Sequence, residues 1–128
     1  MNKTTLNRAY GEFFGTKQWD YFSTLTYKHP VNVKRNRSIM DRLIKSLKRQ
    51  ATAFSMVWVC EWHRTGTSTH SHLLTKGVDV AVIDKYWSKS NLGYKKFNDH
   101  KVYEREKGAN FYIAKYIDKE VDYDIFGL

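Results

Sequence analysis

One cysteine, Cys60, among 128 residues leaves the chain without an internal disulfide. It lies at the end of the apolar run Met56-Val57-Trp58-Val59 and reads as a small core residue, with a reducing cytoplasm as the expected compartment. No stretch approaches the ~20 apolar residues of a membrane span, and Met1-Asn2-Lys3-Thr4-Thr5 leads into polar sequence without the apolar core of a signal peptide. The expectation is a soluble, unprocessed protein with no membrane partner. No Gly-x-x-x-x-Gly-Lys-Ser/Thr run occurs, which excludes a P-loop helicase from these residues; any unwinding comes from elsewhere, with a host or replicon helicase as a candidate partner. There is no internal repeat, low-complexity tract or linker, so residues 1–128 are expected to form one domain.

Acidic residues are also scarce. Thirteen Asp and Glu stand against 22 Lys and Arg, a net charge of +9, and aromatics make up 16% of the chain. Positive charge draws phosphates without regard to sequence, and flat rings stack on unpaired bases, so nucleic acid is the natural polyanion for this composition. A basic, solvated surface is the alternative.

Residues Trp19 to Tyr27, aromatic and β-branched, read as a strand closed by His29-Pro30. Ile39, Leu43, Ile44 and Leu47 recur at helical spacing among Arg37, Arg42, Lys45, Lys48 and Arg49, giving an amphipathic helix with Ser38 as a candidate cap and a basic outer face. Ser55 to His63 and Thr69 to Thr75 form a predicted hairpin across Arg64-Thr65-Gly66-Thr67-Ser68. A weaker helix over Val78 to Trp87, a polar connection over Asn91 to His100, a strand near Lys101 to Glu106 and a helix from about Ala109 to Glu120 follow, with Val121 to Phe126 as a tail or strand. The hairpin implies an antiparallel central sheet with flanking helices, an α+β sandwich.

Residues two apart on a strand share a face, so His70 and His72 direct both imidazoles at one point while Ser71 faces away. A hairpin turn centred near Thr65 and Gly66 places Glu61 opposite His70 and completes a three-ligand set. His63, nearer the turn, is a poorer ligand candidate, and Glu120 is a reserve. Imidazole and carboxylate with open positions suit Mn²⁺ or Mg²⁺ acting on a phosphate, and Zn²⁺ accepts the same ligands. Partly buried, hydrogen-bonded strand histidines account for the pair equally well.

In the last helix Tyr112, Lys115, Tyr116 and Lys119 recur at spacings of three and four and share one broad face, beside an apolar stripe of Ile113 and Ile117. A phenol is a poor nucleophile at neutral pH; a metal on the scissile phosphate and a lysine beside the developing charge supply what it lacks. Amphipathic packing is the competing account of the tyrosines. Arg64, Tyr94, Lys95 and Lys96 are candidate DNA contacts, with Trp87 and Phe97 as further rings that either hold the strand or, for Trp87, pack the core.

Taken in order, these segments resemble the HUH endonuclease superfamily, in particular rolling-circle replication initiators. Phe22-Ser23-Thr24-Leu25-Thr26-Tyr27 is similar to the first motif of that family, Glu61 with Thr69-His70-Ser71-His72-Leu73-Leu74 to the second, and Tyr112 to Lys119 to the third. The middle residue of the histidine pair is usually hydrophobic there, and Ser71 departs from this; altered packing rather than lost ligation is expected. The resemblance implies an RRM-like sheet and metal-dependent nicking of single-stranded DNA at an origin-like site, linear or hairpin. It further implies a covalent 5′-phosphotyrosine, with Tyr116 or Tyr112 as nucleophile and Lys119 and Lys115 as supporting cations. A single-tyrosine transposase of the same superfamily usually has Gln four residues after its tyrosine, where this chain has Glu120. A non-catalytic RRM-like nucleic-acid-binding domain would explain charge and rings but not the His pair, and a Zn²⁺ hydrolase with the same ligands would cut without attaching.

Overall fold

The structure is a computed structural model that describes residues 3–50, 53–117 and 121–128, with side chains from Arg8 onward. Among the described residues the order is α1 (Lys3–Gly15), β1 (Tyr21–Leu25), α2 (Val33–Gln50), β2 (Ser55–Trp62), β3 (Thr69–Lys76), α3 (Val80–Lys89), β4 (Asp99–Val102), α4 (Ala109–Ile117) and β5 (Asp122–Phe126). The strands form one antiparallel sheet in the order β4-β1-β3-β2-β5, the α+β architecture expected from the hairpin. None of the described helices is long and apolar enough to cross a membrane.

Strand periodicity sorts the side chains onto two faces. Leu25, Met56, Trp58, Cys60 and Leu73 point one way and pack with Ile39, Met40, Leu43 and Leu47 of α2 and Ile83 and Trp87 of α3. Val57, Val59 and Leu74 point the other way, against Phe14 and Ile113, Ala114 and Ile117 of α4. Each fully buried aliphatic side chain contributes about 1.5–3 kcal/mol to these layers. Cys60 is buried, as its apolar run suggested. Trp87 is fully buried, and its Nε1 donates to the Thr26 carbonyl at 2.7 Å, so it packs the core and does not face a strand of DNA.

Several boundaries differ from the sequence reading. α1 was not anticipated, since Gly11 and Gly15 read as breakers and the segment as polar. Both glycines let α1 approach α4 closely: a Cβ on Gly11 would meet Phe111 Cδ1 at 2.1 Å, and Asn110 Nδ2 donates to the Gly11 carbonyl at 2.8 Å. Ser38 does not cap α2; it lies in the second turn, and Asn32 caps instead, its Oδ1 accepting from Arg35 N at 2.8 Å. α3 begins later than expected, where Asp79 accepts from Ala81 N. The polar connection after α3 holds a 3-10 turn at Lys95–Phe97 and already enters β4 at Asp99; β4 ends earlier than expected because a second 3-10 turn, Arg105–Lys107, precedes α4. The tail is β5, paired with β2 and latched to α2 by Arg37, which donates to Asp122 at 2.7 and 3.0 Å and to Asp124 at 3.1 Å.

Candidate active site

The hairpin register sets the cluster. Glu61 pairs directly with His70, and one row further His72 lies between Val59 and Thr24. All three polar side chains project onto the face that α4 covers, because Glu61, His70 and His72 keep the same parity as Val59 and Leu74. Within it, Glu61 Oε2 lies 2.7 Å from His72 Nε2 and 3.0 Å from His70 Nε2, and the two Nε2 atoms are 3.0 Å apart. These three are the described residues whose donor atoms gather closely enough to share an ion. His63 stacks on His70 with ring centroids 4.4 Å apart but is not part of that group.

The donor set fits a divalent cation. Ligands bonded at about 2.1 Å with right-angled bonds lie about 3.0 Å apart, close to the spacings above and to those of a hard, six-coordinate ion. His72 Nδ1 is 2.9 Å from Thr24 Oγ1, a contact that orients the ring. When Nδ1–H donates to Thr24, Nε2 is a bare lone pair facing a carboxylate oxygen, and two acceptors at that distance favour a cation between them. Burial lowers the pKa of both histidines and outweighs the attraction of Glu61, which favours the neutral, ligating imidazole. Burial pushes the Glu61 carboxyl up, but hydrogen bonds from Tyr116 and His72 and the nearby histidines outweigh it and leave it below the usual range.

α4 brings both tyrosines to this cluster. Tyr116 OH donates to Glu61 Oε1 at 2.7 Å and lies 3.3 Å from Tyr112 OH, and both rings pack on His72 with centroids 5.9 and 5.2 Å away. Tyr116 is 6% exposed and Tyr112 38%, so one hydroxyl is enclosed and the other opens to solvent. Burial, with hydrogen bonds to Tyr112 and Glu61, raises the Tyr116 pKa far above that of a free phenol. Lys115 Nζ lies 5.5 Å from the Tyr116 ring centre and 5.9 Å from that of Tyr112. Lys119, the second lysine of the pattern, and Glu120, the reserve ligand, lie outside the described residues.

Arg64 sits on the rim of an open groove lined also by Glu61, His63, His70 and Tyr112. Tyr94, Lys95 and Lys96 do not touch the cluster; they occupy or adjoin the 3-10 turn that leads into edge strand β4. Asp99 follows, in the same cross-sheet row as Thr24 and His72. Tyr94 and Phe97 are 55% and 61% exposed, with Lys28 5.6 Å from the Tyr94 ring and Lys96 5.1 Å from that of Phe97. The sequence reading missed the orienting role of Thr24, although the motif containing it was singled out. Ser71 turns away from the cluster, fully buried, and its Oγ donates to Asn36 Oδ1 at 2.8 Å, so a helix asparagine compensates for the polar residue in the pair.

No curated protein and no solved structure matches the chain. Residues 20–121, from the start of β1 through the tyrosine helix to the threshold of β5, match the family model of the replication-associated proteins of the ORF2 type, and the chain belongs to that family.

Proposed function

We propose that the protein is an HUH-type single-stranded DNA endonuclease and strand transferase that nicks an origin-like site and so initiates rolling-circle replication. The observation that carries this reading is the placement of two phenol oxygens on the metal-type triad, Tyr116 OH within 2.7 Å of Glu61. Membership of a replication-associated family supports it.

Glu61, His70 and His72 hold the ion, Mn²⁺ or Mg²⁺, which when bound polarises a phosphate oxygen as a Lewis acid. Tyr116 is the first nucleophile: its oxygen bonds to the scissile phosphorus, the bond from phosphorus to the 3′ oxygen breaks, and the proton lost by the phenol is balanced by the one gained by the released 3′ hydroxyl. No water is consumed, so the 5′-phosphotyrosine ester keeps the bond energy and a 3′ hydroxyl can reverse it. Lys115, with Lys119, offsets negative charge as the phenol ionises. Tyr112, more open to solvent, takes the second strand. Arg64 at the groove and Tyr94, Lys95 and Lys96 at the edge of the sheet hold the flanking single strand by charge and stacking.

The test is a denaturing gel of protein incubated with Mn²⁺ and labelled single-stranded origin oligonucleotide. A label-bearing protein band lost in His72→Ala and Tyr116→Phe supports the reading; Tyr112→Phe keeps the first adduct and loses strand transfer. Cleavage without attachment would point to a hydrolase, and tight binding without cleavage to a non-catalytic module; either result overturns the proposal.

A further inference from the structure

The positive charge is not gathered around the tyrosines. α2 exposes Lys34, Arg35, Arg42, Lys45, Lys48 and Arg49, against one exposed acid, Asp41, which lies 3.8 Å from Arg37. α3 adds exposed Lys85 and Lys89, while its Asp84 turns inward to His100 Nε2 at 2.8 Å. Among the described residues none of these eight cations forms an ion pair. Both helices cover the sheet face opposite the Glu61, His70 and His72 cluster. The candidate active site and the densest run of unpaired cations therefore lie on opposite sides of the sheet.

Helical spacing arranges these charges usefully. Arg35, Arg42, Lys45 and Arg49 follow one another at seven, three and four residues and form one stripe about 21 Å long. That length matches about six base pairs at ~3.4 Å each. None of the exposed large apolar side chains among the described residues belongs to α2 or α3, so this face offers phosphates a row of cations and offers bases nothing to stack on. The Tyr94 and Phe97 ledge has the opposite character.

We propose that the outward face of α2 and α3 is a second DNA surface, which takes the sugar–phosphate backbone of a duplex arm without reading its sequence. It leaves the opposite face free for the strand that is cut. The inference stands on charge and geometry and does not depend on the tyrosine chemistry.

The experiment compares the triple variant Arg42→Gln, Lys45→Gln, Arg49→Gln with a control of equal charge change on the other side, Lys17→Gln, Arg105→Gln, Lys107→Gln. Anisotropy of a labelled blunt duplex is read across a salt series. In the first variant duplex affinity falls about tenfold or more near 0.1 M salt, and the slope of log affinity against log salt drops by about 0.9 for each cation that contacts a phosphate. The control stays near wild type, and the covalent yield on a short single-stranded oligonucleotide is unchanged in both. Unchanged duplex affinity in the first variant, an equal loss in the control, or binding of polyglutamate as tight as of duplex would each overturn the proposal. Duplex binding is measured without cleavage, so a wild-type protein that forms no adduct would sink the nuclease reading and leave this one standing.

Discussion

Replacing Thr24 with valine keeps the shape of the side chain and removes only the partner of His72 Nδ1, now 2.9 Å away. The cost should fall almost entirely on the metal-bound state. Without an ion, His72 can move its proton to Nε2 and donate to Glu61 Oε2 at 2.7 Å, which leaves Nδ1 as a bare acceptor and loses little. With an ion, Nε2 must give its lone pair, the proton returns to Nδ1, and that donor is stranded on a ring only 6% exposed. An unsatisfied buried donor costs about 1–3 kcal/mol, or about 10- to 100-fold in affinity. Calorimetric titration with Mn²⁺ should show that loss, while the melting temperature in chelator stays within a degree or two of wild type and adduct yield recovers at saturating Mn²⁺. Unchanged Mn²⁺ affinity with a markedly lower apo melting temperature would refute the reasoning, because Thr24 would then be a packing residue and nothing more.

Acid should weaken the ion-free protein. Burial depresses His70 and His72 below 6.5, so as pH falls through that value the unfolded chain takes up protons that the native state refuses, and stability declines; Glu61, depressed below 4.5, adds a second loss at lower pH. Melting temperature in chelator should fall from pH 7 to 5, less steeply in His70→Asn/His72→Asn, and a rise on acidification would contradict the assigned directions. Ser71→Val installs the hydrophobic residue usual in the resembled motif but removes a buried donor to Asn36, so chemical denaturation should show a loss of about 1–2 kcal/mol with Mn²⁺ affinity unchanged; weakened ligation would mean that Ser71 shapes the metal pocket after all.

The parts of the site legible in the sequence were those governed by short-range periodicity. A turn near Gly66 and a period of two were enough to place Glu61 against His70, and a period near 3.6 put Tyr112 and Tyr116 on one face. What escaped depended on contacts between distant segments. Thr24 meets His72 across 48 residues, and no local pattern marks a hydroxyl as the partner of an imidazole. α1 escaped because its glycines only make sense beside Phe111 and Asn110, a hundred or so residues later. Ser38 was taken for a cap because the apolar spacing starts at Ile39, whereas the first turn of α2 carries no such spacing and buries the polar Asn36, which accepts from Tyr27 and Ser71.

The hairpin that gathers the three metal-type ligands spans only residues 55–76, whereas the tyrosines that reach it come from α4, about forty residues further along the chain. As the polypeptide leaves the ribosome, the metal half of the centre therefore has its full set of ligands well before any nucleophile exists to use it. An emerging chain can be loaded with an ion and still be unable to cut, and that order of arrival protects the template and the cell from a half-folded nuclease.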